Sequence, residues 1–352
     1  MMRSSYRPED VDILLKDITG LVEPLPAEVR EVKIQSGTHY CEMLPLEYQP
    51  SEKYMKAYRF ALENYSQATA EATAVMAEKI YRKKGENTVI VSLARAGLPI
   101  GILAKRYIEK RHKCRIHHYS VSIIRDRGID RNAIKYILSR HRPEDIQFLD
   151  GWVGKGAIFR ELEKELAGFP EIDKSLAVVS DPAYLTDLCG THDDILIPSS
   201  CLNAIVTGLI SRTFLRSDII GENDFHGAAY YKELEDHDLS EEFLSYTEKY
   251  FDYGMELPDL GSGTSGMEIV RSIAAHYDVD NINFIKPGIG ETTRVLLRRI
   301  PWKVLINEKY AGSKELEHIV ELAKEKNVPC EISAVELGGY KACGLIKKTA
   351  DV

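Results

Sequence analysis

Asp150 closes a short apolar run, Ile146 to Leu149, and the glycine-rich stretch Gly151, Trp152, Val153, Gly154, Lys155, Gly156, Ala157 follows it. A helix-forming run from Phe159 to Leu166 comes next. Strand, acid, glycine turn and helix form a layout suited to a sugar phosphate. The turn's N–H groups, the helix N-terminus and Lys155 take the phosphate, and the Asp150 carboxylate takes ribose hydroxyls or a metal. Two earlier loops carry related chemistry: Ala94-Arg95-Ala96-Gly97 and Arg125-Asp126-Arg127-Gly128. Guanidinium forks bind pyrophosphate oxygens two at a time. Loops at the carboxyl ends of parallel strands share one crevice. Arg95, Ala96, Gly97, Arg125 and Arg127 are therefore expected to meet the 150–157 turn there, with Asp150, Arg95 and Arg127 as the reacting set.

A second chemistry centres on a thiol. Cys201 lies beside Pro198, Ser199 and Ser200, and a nucleophilic sulfur needs a nearby base. His192 and His226 are the candidate bases. A third feature is cationic. Arg294, Arg298 and Arg299 follow Gly288 and Gly290 on an expected helix, a pattern suited to an RNA backbone.

Positioning these groups takes an alternation of strands and helices. Pro8, Glu9 and Asp10 suit the first turn of a helix reaching Lys16. A long helix is expected from Glu52 to Arg82, with Tyr58, Leu62, Tyr65, Val75, Met76 and Ile80 on one stripe, ended by Gly85. Strands are expected at 88–93, 115–122, 146–150, 176–180 and 195–198, with helices at 100–111 and 159–166. Such a βαβ rhythm implies a mostly parallel sheet with helices on both faces. Residues 252–265, rich in Gly, Ser, Asp and Pro, have linker composition. The division is then 1–251 (with a helical or hood segment over 1–85), linker 252–265, and a small α/β domain over 266–352.

The 352 residues carry a net charge of -8, which disfavours non-specific nucleic-acid binding by the whole surface. Residues 266–352 hold 13 Lys+Arg against 12 Asp+Glu, so the acidity belongs to the first part. Six cysteines without a CxxC pair read as reduced thiols. No run of about 20 apolar residues is present, and the polar N-terminus lacks a signal core. A cytoplasmic protein is expected, with no membrane partner and a homodimer open.

The order of the three loops resembles that of the type I phosphoribosyltransferases. Over nearly its full length the chain is similar to a bacterial family found with tellurite-resistance and stress-response operons. In that family a phosphoribosyltransferase-like domain precedes a pelota-type RNA-binding domain. The likeness rests on residues 91–101, 122–130 and 148–158, with 36–45 and 197–203. In the last part it rests on Gly288-Ile-Gly-Glu-Thr-Thr-Arg294. It implies a type I phosphoribosyltransferase-like fold plus a small pelota-like domain. The implied ligand is phosphoribosyl pyrophosphate (PRPP) with Mg²⁺, the metal held by Asp150. Structured RNA would lie on Glu291, Thr292, Arg294 and Arg298. The family's PRPP motif has two adjacent acids, whereas Gly151 follows Asp150 here. The family also carries a stress-induced cysteine-protease label, which makes a hydrolase centred on Cys201 the alternative. A non-catalytic sugar-phosphate or RNA-binding module is the third reading.

Overall fold

The computed structural model describes residues 2–346, the side chains at 27, 31 and 298 excepted. In chain order the regular elements begin with strands β1 (Asp12–Ile13) and β2 (Lys16–Asp17) and helices α1 (Ala27–Gln35) and α2 (Glu52–Lys84). Then come β3 (Val89–Ala94), α3 (Gly97–His112), β4 (His117–Ile124), β5 (Gly128–Ile129) and α4 (Arg131–Leu138). Next are β6 (Ile146–Trp152), α5 (Ala157–Leu166), β7 (Leu176–Ser180), β8 (Cys189–Thr191), β9 (Gly227–Ala228) and α6 (Ser240–Glu248). The last part contains α7 (Gly266–His276), β10 (Ile285–Pro287), α8 (Ile289–Arg298), β11 (Pro301–Ile306), α9 (Lys314–Glu325), β12 (Cys330–Ile332) and β13 (Ala342–Ile346).

The main sheet runs β1-β4-β3-β6-β7-β8 with every pair parallel, and β5 adds antiparallel to the end of β4. It is an α/β sheet buried on both faces. Alternate residues of β3, β6 and β7 serve two separate cores: Ile90, Leu149 and Val179 pack with α2 and α3, and Val91, Phe148 and Val178 with α4 and α5. Burial on both faces explains the near-continuous apolar runs of these strands. Helix α2 is held by the stripe read from the sequence, since Tyr58, Leu62, Tyr65, Met76 and Ile80 are all buried. Gly85, at φ 74, supplies the left-handed residue that stops it.

Two expectations differ from the structure. Residues 8–16 form no helix. Val11, Ile13, Leu14 and Leu15 are all buried, a spacing no single helix face provides, and the segment runs extended along β4. The expected strand at 195–198 is absent. Ile195, Leu196 and Ile197 are buried, but Pro198 opens a 3₁₀ turn, and proline cannot donate to a ladder. The edge strand is β8 instead. Helix α4 is not among the helices expected above; the Asp130 carboxylate caps it by accepting from the Asn132 and Ala133 N–H groups at 3.0 Å each.

The last part is a four-stranded sheet, β10-β13-β11-β12, of mixed direction. Within it β12 pairs with β11, and β13 with both β10 and β11. Residues 252–265 hold no helix or strand. They end on a fixed contact, the Gly266 N–H donating to the Ala183 carbonyl at 2.9 Å. Buried residues of this part join both cores of the first, Leu296 and Ile319 one, Ile285 and Leu305 the other.

Candidate functional site

Strands β3, β4 and β6 deliver their C-terminal loops to one cleft of about 310 Å³. Its walls include Arg95, Ala96, Arg125, Asp150 and the 152–157 turn. Close approach of the loops needs glycine at 97, where a Cβ would lie 2.7 Å from the Leu149 carbonyl oxygen. Gly156, at φ 78, starts α5 in the left-handed region. Gly97 and Gly151 stand behind the cleft wall as packing positions.

The opposite wall comes from the last part of the chain: Ile285, Lys286, Glu291 and Arg294. Arg294 ion-pairs with Glu291 at 3.3 Å, and its guanidinium lies 5.7 Å from the Trp152 ring centre. Two anchors set this wall. The buried Asp194 carboxylate accepts from the Ile289 N–H at 3.0 Å and the Lys341 N–H at 2.9 Å. Lys155 donates its amine to the carbonyls of Ile282 and Ile285. That amine, expected on a phosphate, instead ties the turn to the last domain, and burial pushes its pKa down to about 8. Thr292 is fully buried, so of the expected RNA-contacting residues Glu291 and Arg294 open into the cleft. Arg298 lies outside the residues whose side chains are described.

The arginines are also partly engaged. Arg95 donates to the Ile210 carbonyl at 3.1 Å and lies 3.8 Å from Glu47. Arg127 is half exposed, pairs with Glu42 at 3.0 Å and lies outside the cleft lining. Arg125 keeps an exposed side chain beside Asp126. Asp150 is partly buried in the cleft wall; burial raises its carboxyl to about 7, against the Gly151 N–H and the Arg294 charge, which lower it.

This carboxyl sets a testable pH dependence. Its folded pKa lies above the free value of 3.8. The folded chain therefore holds the proton better, a stabilisation complete below pH 3.8 and lost as pH rises through about 7. Asp150→Asn should flatten the fall in melting temperature between pH 4 and 7. The effect is at most on the order of 4 kcal/mol, from about 1.4 kcal/mol per pKa unit. Asp194, likewise raised to about 7 by burial, keeps its own share. An unchanged pH slope would show that Asp150 is solvated in the folded chain.

The thiols are placed differently from expectation. Cys201 is buried against α2, its sulfur 3.8 Å from the Ala57 carbonyl. Neither proposed base serves it: His192 lies on Cys189, and the His226 ring meets the Ser122 hydroxyl at 2.9 Å while its backbone N–H donates to Asp130 at 2.6 Å. Two other cysteines meet an imidazole. Cys41 Sγ lies 2.9 Å from His39 Nδ1, but that nitrogen also accepts the Cys41 backbone N–H at 3.4 Å, a local cap on a short turn.

The second meeting has three members. Asp181 follows the end of β7, Cys189 lies on β8 and His192 just beyond it. Cys189 Sγ is 3.5 Å from His192 Nε2. His192 Nδ1 is 2.7 Å from the Asp181 carbonyl oxygen and 4.0 Å from its carboxylate. A carbonyl only accepts, so Nδ1 carries the proton and Nε2 is left as the acceptor; the sulfur, 3.8 Å from Nδ1 as well, lies beside the ring rather than along the Nε2 lone pair. The Asp181 carboxylate takes the Leu185 and Thr186 N–H groups on Oδ2, and its buried Oδ1 has no hydrogen-bond partner. Burial pushes the Cys189 thiol up to about 11. Tyr184 stacks on the His192 ring at 4.0 Å, and the backbone of Gly263 packs against Tyr184. These same three groups are the described set able to hold a metal ion, and Asp150 is not among them.

The sequence offered a signal for this cluster in the spacing Cys189-Gly-Thr-His192. The short strand carrying it contains a glycine and was outshone by the more apolar 195–197.

Comparison with known proteins brings two family matches. The family described as "Tellurite-like stress resistance cysteine protease StiP" matches residues 4–248, and the PELOTA RNA binding domain matches residues 264–348. A curated relative, the cysteine protease StiP of Acinetobacter baylyi, is 34% identical over 365 aligned residues. The match covers 98% of this chain and 94% of the relative. These names overturn the expected phosphoribosyl transfer from PRPP; they carry a cysteine protease in its place. No helix among the described residues is long and apolar enough to cross a membrane.

Proposed function

This chain belongs to the StiP family of tellurite-like stress-resistance cysteine proteases, and we propose that it is a cysteine-dependent protease whose nucleophile is Cys189. His192 is the base and Asp181 holds it. The observation that carries this reading is the 3.5 Å approach of Cys189 Sγ to His192 Nε2, with Nδ1 fixed on the Asp181 carbonyl at 2.7 Å. That is the tautomer a general base needs, set by a third group.

The resting thiol is protonated at neutral pH, because burial holds it near 11. Attack is therefore of the general-base kind. As sulfur bonds to the peptide carbonyl carbon, its proton passes to His192 Nε2. The imidazolium returns that proton to the leaving amine, and the C–N bond breaks to leave a thioester on Cys189. Water, losing a proton to Nε2, then cleaves the thioester, and the thiol is restored.

The cover over the site favours control of access. Cys189 is fully buried, and Tyr184 lies across His192. Tyr184→Ala should speed iodoacetamide labelling of Cys189 at pH 8 by about tenfold or more, since access rather than thiolate fraction changes. In the parent protein the labelling rate should climb steadily with pH toward about 11. Fast labelling at neutral pH in the parent would contradict a buried, protonated thiol.

For the last domain the match to a PELOTA RNA binding domain supports RNA as partner, through Glu291 and Arg294. The protease reading is tested with casein or a fluorogenic peptide library, comparing Cys189→Ser, Cys41→Ser and Cys201→Ser. Loss confined to Cys41→Ser would move the nucleophile to the His39–Cys41 pair.

A further inference from the structure

The expected RNA-contacting turn, 288–294, faces inward. Asp194 and Lys155 fix it against the first domain, so that Glu291 and Arg294 meet the cleft. A duplex cannot follow them there. A cleft of about 310 Å³ is at the lower end of small-ligand pockets, which suits one nucleotide. Proteins read RNA sequence mainly on unstacked single-stranded bases, splayed onto aromatic or guanidinium planes.

We infer that this cleft receives one unpaired nucleotide of the RNA held by the last domain, its base on Trp152 and its phosphate among Arg125, Lys286 and Arg294. The inference rests on the RNA-binding reading above. Three features carry it. The Arg294 guanidinium lies over the Trp152 ring at 5.7 Å, a cation–π contact between opposite walls in whose place a base can stack on the indole while Arg294 turns to the phosphate. Arg125, Lys286 and Arg294 share the lining although like charges repel. Burial is the main cause that lowers the Lys286 pKa; Glu291 opposes it, and Arg299, Arg125 and Arg294 each add a smaller lowering. A phosphate relieves that repulsion. The third feature is Asp150, which lines the cleft and whose carboxyl, raised to about 7, keeps its proton well above the ordinary carboxylate range and so can donate a hydrogen bond to a base edge or ribose oxygen. The C-terminal fold and the three loops of the first domain thereby build one site from two halves.

The test uses the full chain and two labelled RNA hairpins at one fixed salt concentration, one blunt and one with a three-nucleotide unpaired 3′ tail. Fluorescence anisotropy should show the tailed RNA bound roughly tenfold or more tightly, the scale of a stacked base plus a phosphate contact. Trp152→Ala and Arg125→Ala should each remove most of that preference. The Arg125 side chain is half exposed and packs in no core, so Arg125→Ala, with its melting curve as control, decides the matter even if Trp152→Ala does not fold. RNA binding with no tail preference, or a preference that Arg125→Ala leaves intact, overturns the inference alone. Absence of binding to either hairpin at low salt overturns the RNA-binding reading and the inference together.

Discussion

Cys189→Ser should lower proteolysis by several powers of ten while leaving the melting temperature almost unchanged. Removing the nucleophile of a covalent mechanism costs that much, because the residues of such a unit act together. Serine keeps the volume but is a far poorer nucleophile beside the same imidazole. His192→Ala should cost a similar factor, since Nε2 is the group placed to take the thiol proton at 3.5 Å. Asp181→Asn should cost less. The imidazole rests mainly on the Asp181 backbone carbonyl, which the substitution keeps, while the carboxylate stands 4.0 Å away. Cys201→Ser should leave turnover within about twofold; its sulfur touches the Ala57 carbonyl in a packed core. Steady-state rates on one peptide substrate, with melting curves for each variant, check this order. Equal losses at Cys201 and Cys189 would refute it.

The second large effect concerns the join between the two parts. Asp194→Ala leaves the N–H groups of Ile289 and Lys341 buried without their acceptor. An unmet buried donor costs about 1–3 kcal/mol, so a loss of roughly 2–5 kcal/mol is expected. The fall should be largest for the last domain, which Asp194 anchors. Calorimetry should then resolve an early transition of residues 266–346, ahead of the parallel-sheet part. A single unshifted transition would mean that the join is held by the apolar contact alone.

The framework was legible where periodicity is strong. The α2 stripe, the apolar cores of β3, β6 and β7, and the glycine stop at Gly85 all follow from side-chain spacing. Convergence of Arg95, Arg125, Asp150 and the 152–157 turn was legible too, because parallel strands put their C-terminal loops on one edge. What those loops face was not. A local reading assigns Lys155 to a phosphate, whereas residues 127 and 130 positions later take its amine. Which thiol meets an imidazole was not legible for a related reason. Cys201 lies next to prolyl and seryl residues that resemble an active-site turn, yet a distant helix buries it. Cys189 sits on a three-residue edge strand too short to show a pattern, with His192 just past its end.

The most direct test of the central claim is where a substrate-like electrophile becomes attached. A biotinylated peptidyl acyloxymethyl ketone, incubated with the full chain and followed by peptide mapping, reports which sulfur carries the adduct. The account predicts modification at Cys189, lost in His192→Ala and faster in Tyr184→Ala, with Cys41 and Cys201 unmodified over the same time. An adduct on Cys41 or Cys201 with Cys189 untouched would contradict it.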